Sequence, residues 1–134
     1  MRQFQFRVGH DNFALIHVSL APVINGQQKS KPTQAAVRDL RGLGLAPDLI
    51  ACRCSQPVGK SLIDKLTMFC HVSAEQVIGV HDVSSTYHVP LLLLQHNIIE
   101  YFTKRLALDQ IDVDPEVKAV GERRLSKWKN LTIS

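Results

Sequence analysis

Lys29-Ser30-Lys31-Pro32-Thr33-Gln34 stands between an apolar run, Ala14 to Leu20, and the residues Ala36, Val37, Leu40 and Leu43, whose spacing is that of one helix face. A strand that passes into a helix through a polar turn is half of a βαβ unit, and this step decides the fold. Pro32 fixes its own φ and disfavours a helical Lys31, so the helix is expected to start at about Pro32 or Thr33. On an extended backbone Lys29 and Lys31 then share one face. Their ammonium groups gather where free N–H groups and the positive end of the helix dipole favour an anion, a phosphate above all. A proline-started helix with two solvated lysines would leave the same trace.

The pattern recurs downstream. Leu49 to Cys54 and Val77 to Val80 are short apolar runs, read as strands buried on both faces. Between them Leu62, Ile63, Leu66, Phe69 and Cys70 form a second helical stripe, opened by a capping-box pair, Ser61 and Asp64. Gly42 and Gly44 close the first helix. The order β-α-β-α-β implies a parallel sheet with right-handed crossovers and an α/β class. Pro90 to Leu106 reads as helix with a break near Asn97, and Asp109 to Pro115 as a polar loop. Glu116 to Lys129 is a charged, helical or irregular tail.

In open parallel sheets ligands bind beyond the carboxyl ends of the strands. Lys29–Gln34 follow the first strand, Arg53 to Ser55 end the second, and His81 to Ser85 end the third. Three polar clusters therefore converge on one edge of the sheet.

Composition narrows the partners. The chain has 134 residues, 45% of them hydrophobic and 21% charged, which suits one soluble domain with a modest core. A net charge of +4, with no Lys/Arg run and few aromatics, fits a groove for nucleotide phosphates better than a nucleic-acid surface. No apolar run approaches the roughly 20 residues of a bilayer span, and Leu91 to Leu94 reads as a buried helix start. Neither nucleic acid nor membrane is an expected partner, and the expected location is cytoplasmic. Cys52, Cys54 and Cys70 read as buried thiols of a reducing compartment, because no second pair at zinc spacing accompanies them. His17, His71, His88 and His96 show no metal-ligand spacing. Cys54 to Ser61 imitates the end of a phosphate-binding P-loop, but Cys54 stands where glycine is needed and Pro57 lacks an N–H. A helix start is the expectation there.

The hexapeptide also resembles the Lys-Thr-Lys-Pro-Thr-Gln motif of the CTP synthases, glutamine-dependent amidoligases that convert UTP to CTP with ATP. Further blocks carry the likeness in order: Arg2-Gln3-Phe4-Gln5-Phe6, Ile16-His17-Val18-Ser19-Leu20, Leu40-Arg41-Gly42-Leu43-Gly44-Leu45, Cys52-Arg53-Cys54-Ser55, Met68-Phe69-Cys70-His71-Val72 and His81-Asp82-Val83-Ser84-Ser85. The resemblance reaches Leu106, returns weakly at Lys127-Trp128-Lys129, and leaves Asp109 to Arg124 without a secure counterpart. It is strongest toward the animal enzymes.

That resemblance implies a three-layer Rossmann-like parallel sheet of the P-loop amidoligase type, present as a partial domain. It implies that residues 1–106 come from the central to C-terminal part of the amidoligase domain, and that residues 107–134 lead toward a missing glutaminase domain. It implies that Lys29, Ser30 (a threonine in most of the family), Lys31, Pro32, Thr33, Gln34 and Lys65 hold the phosphates of UTP and of CTP, the feedback inhibitor. By periodicity Lys65 is a solvated helix lysine; the resemblance reverses that. Arg53, His81, Asp82 and Val83 are implied to hold the base of ATP. The family's Gly-rich ATP loop and its Mg²⁺ carboxylates lie upstream of the matched region. No catalytic residue is therefore assigned here, and this stretch by itself is expected not to complete the ligase chemistry. Homotetramers are the family's assembly. Two readings compete: a non-catalytic nucleotide-binding or assembly fragment of the synthase, and an independent phosphotransferase using Gly59, Lys60 and Ser61. Departures from the family are the short loop Val23 to Gly26 and the apolar Leu93-Leu94.

Overall fold

The computed structural model describes residues 1–131, which form two compact units, Met1–Asp82 and a second from Val83 onward. The first unit is α/β. After a short helix α1 (Arg2–Val8) come strand β1 (Ile16–Leu20), a hairpin of β2 (Val23–Ile24) and β3 (Gln27–Gln28), and helix α2 (Lys31–Gly42). Strand β4 (Leu49–Cys54), helix α3 (Lys60–Cys70) and strand β5 (Val77–His81) complete it. The sheet order is β1-β4-β5, parallel throughout, with Ile16 opposite Leu49 and Ile50 opposite Val77. The expected α/β class with a parallel, Rossmann-like sheet is what the chain adopts.

Alternation along β4 explains the layering. Ile50 and Cys52 face one way and join Val37 of α2 with Leu62, Leu66 and Cys70 of α3 in a core that water does not reach. Burying such side chains stabilises by about 1.5–3 kcal/mol each. All three thiols are free and buried. The opposite face carries Leu49, Ala51 and Arg53 beside Ile16, Val18 and Leu20 of β1. Those three β1 residues are exposed, Val18 by 70%, so β1 is not apolar and buried on both faces as expected. Among the described residues β1 is an edge strand.

At the amino ends of the strands Asp48 ties the sheet together. Its carboxylate accepts from the Leu15 amide at 2.7 Å and its carbonyl accepts from Gln76 Nε2 at 2.8 Å. Gly44, at φ 77°, follows the end of α2, a left-handed conformation that favours glycine.

Three local expectations are corrected. Helix α2 begins at Lys31, because Ser30 already has helical φ and ψ (−90°, −20°) and its carbonyl accepts from Gln34 at 3.0 Å. Lys29 and Lys31 are therefore not alternate residues of one extended strand. Helix α3 begins at Lys60 after Gly59, with no side-chain cap, so the Ser61–Asp64 box does not form. Phe69 is 57% exposed, because the buried line Leu62, Leu66, Cys70 runs at i, i+4, i+8 and Phe69 lies at its margin.

In the second unit α4 (Val89–Gln95) and α5 (Ile98–Arg105) are separated by Asn97 at φ 53°, the break expected there. Leu92 is buried, whereas Leu94 is exposed. The tail forms α6 (Pro115–Lys129), capped by Asp114, whose carboxylate accepts from the Glu116 amide at 2.8 Å. Tyr87 packs against Trp128 with ring centroids 6.4 Å apart. No helix among the described residues is long and apolar enough to cross a membrane.

Candidate functional site

The carboxyl ends of β1, β4 and β5, with Arg53, His81 and Asp82 beside them, share one edge of the sheet, because the three strands run parallel. Leu20 is level with Arg53, and Cys54 with His81.

Beside β1 the chain folds the β2–β3 hairpin through Asn25 and Gly26, both at positive φ (53° and 72°), the turn chemistry that Asn-Gly favours. Lys29 closes it, its amide donating to the Pro22 carbonyl at 2.9 Å. A cavity of about 510 Å³ opens next to the hairpin, and Lys29, Ser30, Lys31, Pro32 and Lys65 all line it. Three lysines, from the end of the hairpin, the start of α2 and α3, thus meet around one space, which suits a polyanion. Lys29 Nζ donates to Gln27 Oε1 at 3.1 Å.

Thr33 and Gln34 do not line that cavity; they build it. Thr33 is fully buried and accepts from Ser19 Oγ at 2.9 Å, fastening the first turn of α2 to β1. Gln34 Nε2 donates to Ser30 Oγ at 2.9 Å, fixing that hydroxyl at the helix start.

The second group lies at the ends of β4 and β5. Arg53 Nη1 donates to the Cys54 carbonyl at 2.6 Å and to the Val80 carbonyl at 3.3 Å, while Nη2 pairs with the Asp82 carboxylate. Arg53 and Asp82 are thereby brought together at the edge, with about half of each side chain exposed. His81 is the last residue of β5 and is half-buried. Val83 opens the second unit.

The P-loop mimic is a helix start, as its residues suggest. The Gly59 amide, which a phosphate would need, donates instead to Gln28 Oε1 at 2.8 Å. Gln28 Nε2 donates to the Pro57 carbonyl at 2.8 Å and to Cys54 Sγ at 3.3 Å. This glutamine and its hairpin escape sequence reading. The Asn25-Gly26 pair is the signal for the hairpin; nothing local marks the glutamine.

Burial pushes the Cys52 thiol up to about 12, helped by charge repulsion from Cys54 and Cys70, so it is inert as a nucleophile at neutral pH. Burial lowers the pKa of His17, whose Nε2 is buried without a hydrogen-bond partner. Among the described residues no group of three or more His, Cys, Asp or Glu could hold a metal ion.

Comparison with known proteins gives the site its context. Residues 1–108 match the family described as CTP synthase N-terminus. The chain is 65% identical to the CTP synthase of Schizosaccharomyces pombe over 98% of its length and 22% of the relative's. It is 63% identical to CTP synthase 1 of Saccharomyces cerevisiae, covering 98% of this chain and 23% of the relative. With CTP synthase 1 of Homo sapiens the identity is 52%, over 97% of this chain and 21% of the relative. The chain thus spans about a fifth of the length of these relatives. The fungal identities exceed the human one, so the expected animal likeness is corrected. Coverage of 98% also gives the Asp109 to Arg124 stretch a counterpart that the motif comparison did not find. The matched family is that of the N-terminus, which replaces the expected placement in a central to C-terminal part. On that match over residues 1–108, the chain belongs to the CTP synthase family, through its N-terminal synthase region.

Proposed function

We propose that this chain supplies the pyrimidine-nucleotide phosphate site of a CTP synthase, the ligase that aminates UTP to CTP with ATP and glutamine-derived ammonia. The observation that carries the reading is the single cavity lined by Lys29, Ser30, Lys31, Pro32 and Lys65. Lysines contact the triphosphate of UTP, or of CTP when it inhibits, and the Ser30 hydroxyl adds a neutral donor. Thr33 and Gln34 serve the same site by holding the α2 start in place. Arg53, His81, Asp82 and Val83 form the ATP-base segment, with the Arg53 guanidinium oriented by Asp82 and by two carbonyls. Residues 1–106 then act within the amidoligase domain of a cytoplasmic homotetramer, and residues 107–134 lead on toward the glutaminase.

The described residues do not fit a Mg²⁺ site, so no step through the metal is assigned to them. A cavity for polyphosphate without a carboxylate cluster favours binding as the contribution of this stretch, and the regulatory reading, in which CTP occupies the cavity, shares the same residues. Calorimetric titration of the purified chain tests both. UTP and CTP should bind, and Lys29→Ala, Lys31→Ala or Lys65→Ala should each weaken them tenfold or more, since a charge-assisted phosphate contact is worth roughly 1.5–3 kcal/mol. Unchanged titrations in all three variants would overturn the assignment. Binding of CTP with no binding of UTP would favour the regulatory reading.

A further inference from the structure

We propose that Gln28 is the positioning residue that sets the spacing between Lys29, at the end of the hairpin, and Lys65 on α3; this rests on the phosphate reading above. Lys29 follows Gln28 directly at the exit of the hairpin, and Lys65 stands on α3, beyond the loop that Gln28 grips. The Gln28 amide crosses that gap with both of its donors and its acceptor oxygen engaged. One oxygen accepts from the Gly59 amide at 2.8 Å, and the nitrogen donates to the Pro57 carbonyl at 2.8 Å and to Cys54 Sγ at 3.3 Å. The contacts span the end of β4, the loop and the residue just before α3. A second cavity of about 360 Å³ adjoins the first and shares Gln27, Gln28 and Lys65 with it, so the clasp lies between the two spaces.

The chemistry requires a glutamine. Lys29, Lys31 and Lys65 repel one another until an anion arrives, and hairpin and helix would separate to relieve that repulsion. A neutral amide holds them without adding charge to the site. Glutamate would keep the acceptor for Gly59 but lose both donors and place a carboxylate beside the phosphate. Asparagine is one methylene short of the three partners. Holding the lysines at binding distance before the ligand enters removes an ordering cost from binding.

The test is a double-mutant cycle on the whole chain, titrated calorimetrically with inorganic triphosphate at fixed salt. Gln28→Met keeps the side-chain volume and removes the hydrogen bonds; it should weaken triphosphate about tenfold, the worth of one to two such bonds. If Gln28 acts by placing Lys65, then Gln28→Met added to Lys65→Ala should weaken binding by no more than about twofold further. A purely structural role would not produce that coupling. Gln28→Asn, too short for the three partners, should weaken triphosphate to about the same extent as Gln28→Met, and it carries the same cycle if Gln28→Met loses its folded circular-dichroism spectrum. Parent-like affinity in Gln28→Met, or losses that multiply in the double variant, would overturn the inference. Unchanged affinity in Lys29→Ala and Lys65→Ala would instead show that the phosphate reading itself is wrong, and the inference with it.

Discussion

Gly79 sits in the middle of β5, and replacing it with alanine tests how tightly the loop before α3 is seated on the sheet. A Cβ at Gly79 would lie 2.9 Å from Val58 Cγ2 and 3.2 Å from Val58 Cβ, with the Val58 amide nitrogen at 3.5 Å. The first distance is shorter than two carbons tolerate, and valine, branched at Cβ, has little rotamer freedom with which to withdraw. The loop must therefore move, and overpacking of this kind costs about 1–3 kcal/mol. For a chain of this size that corresponds to a melting temperature lower by about 4–12 °C. The single tryptophan, Trp128, belongs to the second unit, so fluorescence would miss the event. Amide exchange at Ile78 and Val80 in the first unit reads it directly. Because the loop carries Pro57 and Gly59, both partners of Gln28, the same substitution should also weaken triphosphate binding. Val58→Ala removes the nearest atom, Cγ2, and leaves Cβ at 3.2 Å, so Gly79→Ala should cost less in that background than in the parent. If Gly79→Ala leaves exchange and melting temperature unchanged, or costs as much in the Val58→Ala background as in the parent, the close approach of loop and strand is wrong.

Three other outcomes follow from particular contacts. Burial raises Cys52 from 9.0 to about 12, so the unfolded chain loses this proton first: stability is full below about pH 9 and declines by at most roughly 1.4 kcal/mol per pH unit above it. Urea midpoints between about pH 8 and 10.5 should show this decline, and Cys52→Ala should make it shallower, leaving the part due to Cys70, whose thiol burial also pushes up. Thr33→Val keeps the shape but leaves Ser19 Oγ without its acceptor, costing about 1–2 kcal/mol in chemical denaturation; no loss would remove the Ser19–Thr33 bond from the account. Lys60 lines neither cavity, so Lys60→Ala should change triphosphate affinity by less than about threefold in calorimetry, whereas loss of binding in a folded variant would revive the P-loop reading.

The strands are legible because their periodicity is a property of the chain itself. Leu49 to Cys54 is found with the expected bounds, since a strand in the middle of a parallel sheet is apolar on both sides. β1 shares its composition but lies at the edge, and its outward face, Ile16, Val18 and Leu20, shows that an apolar run reports what a strand can bury rather than what it does bury. The β2–β3 hairpin reads as a loop because two strands of two residues are too short for any periodicity; Asn25-Gly26 is the one legible mark. The start of α3 misleads for another reason. Ser61 and Asp64 satisfy a local rule for helix caps, but the Gly59 amide finds its acceptor 31 residues away.

That difference in range also separates the legible part of the site from the rest. Lys29 and Lys31 can be placed near an anion site because a parallel sheet sends every strand-to-helix turn to the same edge, so chain order alone brings them there. Lys65 cannot, since one helix lysine is like another until the cavity is seen to include it. Thr33 belongs to the motif and reads as a phosphate ligand, yet its hydroxyl is buried against Ser19. A motif preserves the residues a site needs without distinguishing those that touch the ligand from those that hold the backbone in place. Gln28 lies outside the hexapeptide altogether, next to its first lysine, and its three bonds go to residues 26 to 31 positions further along the chain. No spacing rule links a hairpin glutamine to a loop carbonyl, a thiol and a glycine amide; only the fold brings them within 3.3 Å of one side chain. In the proposed phosphate site, the separation of the lysines therefore rests on a residue that the sequence leaves unmarked.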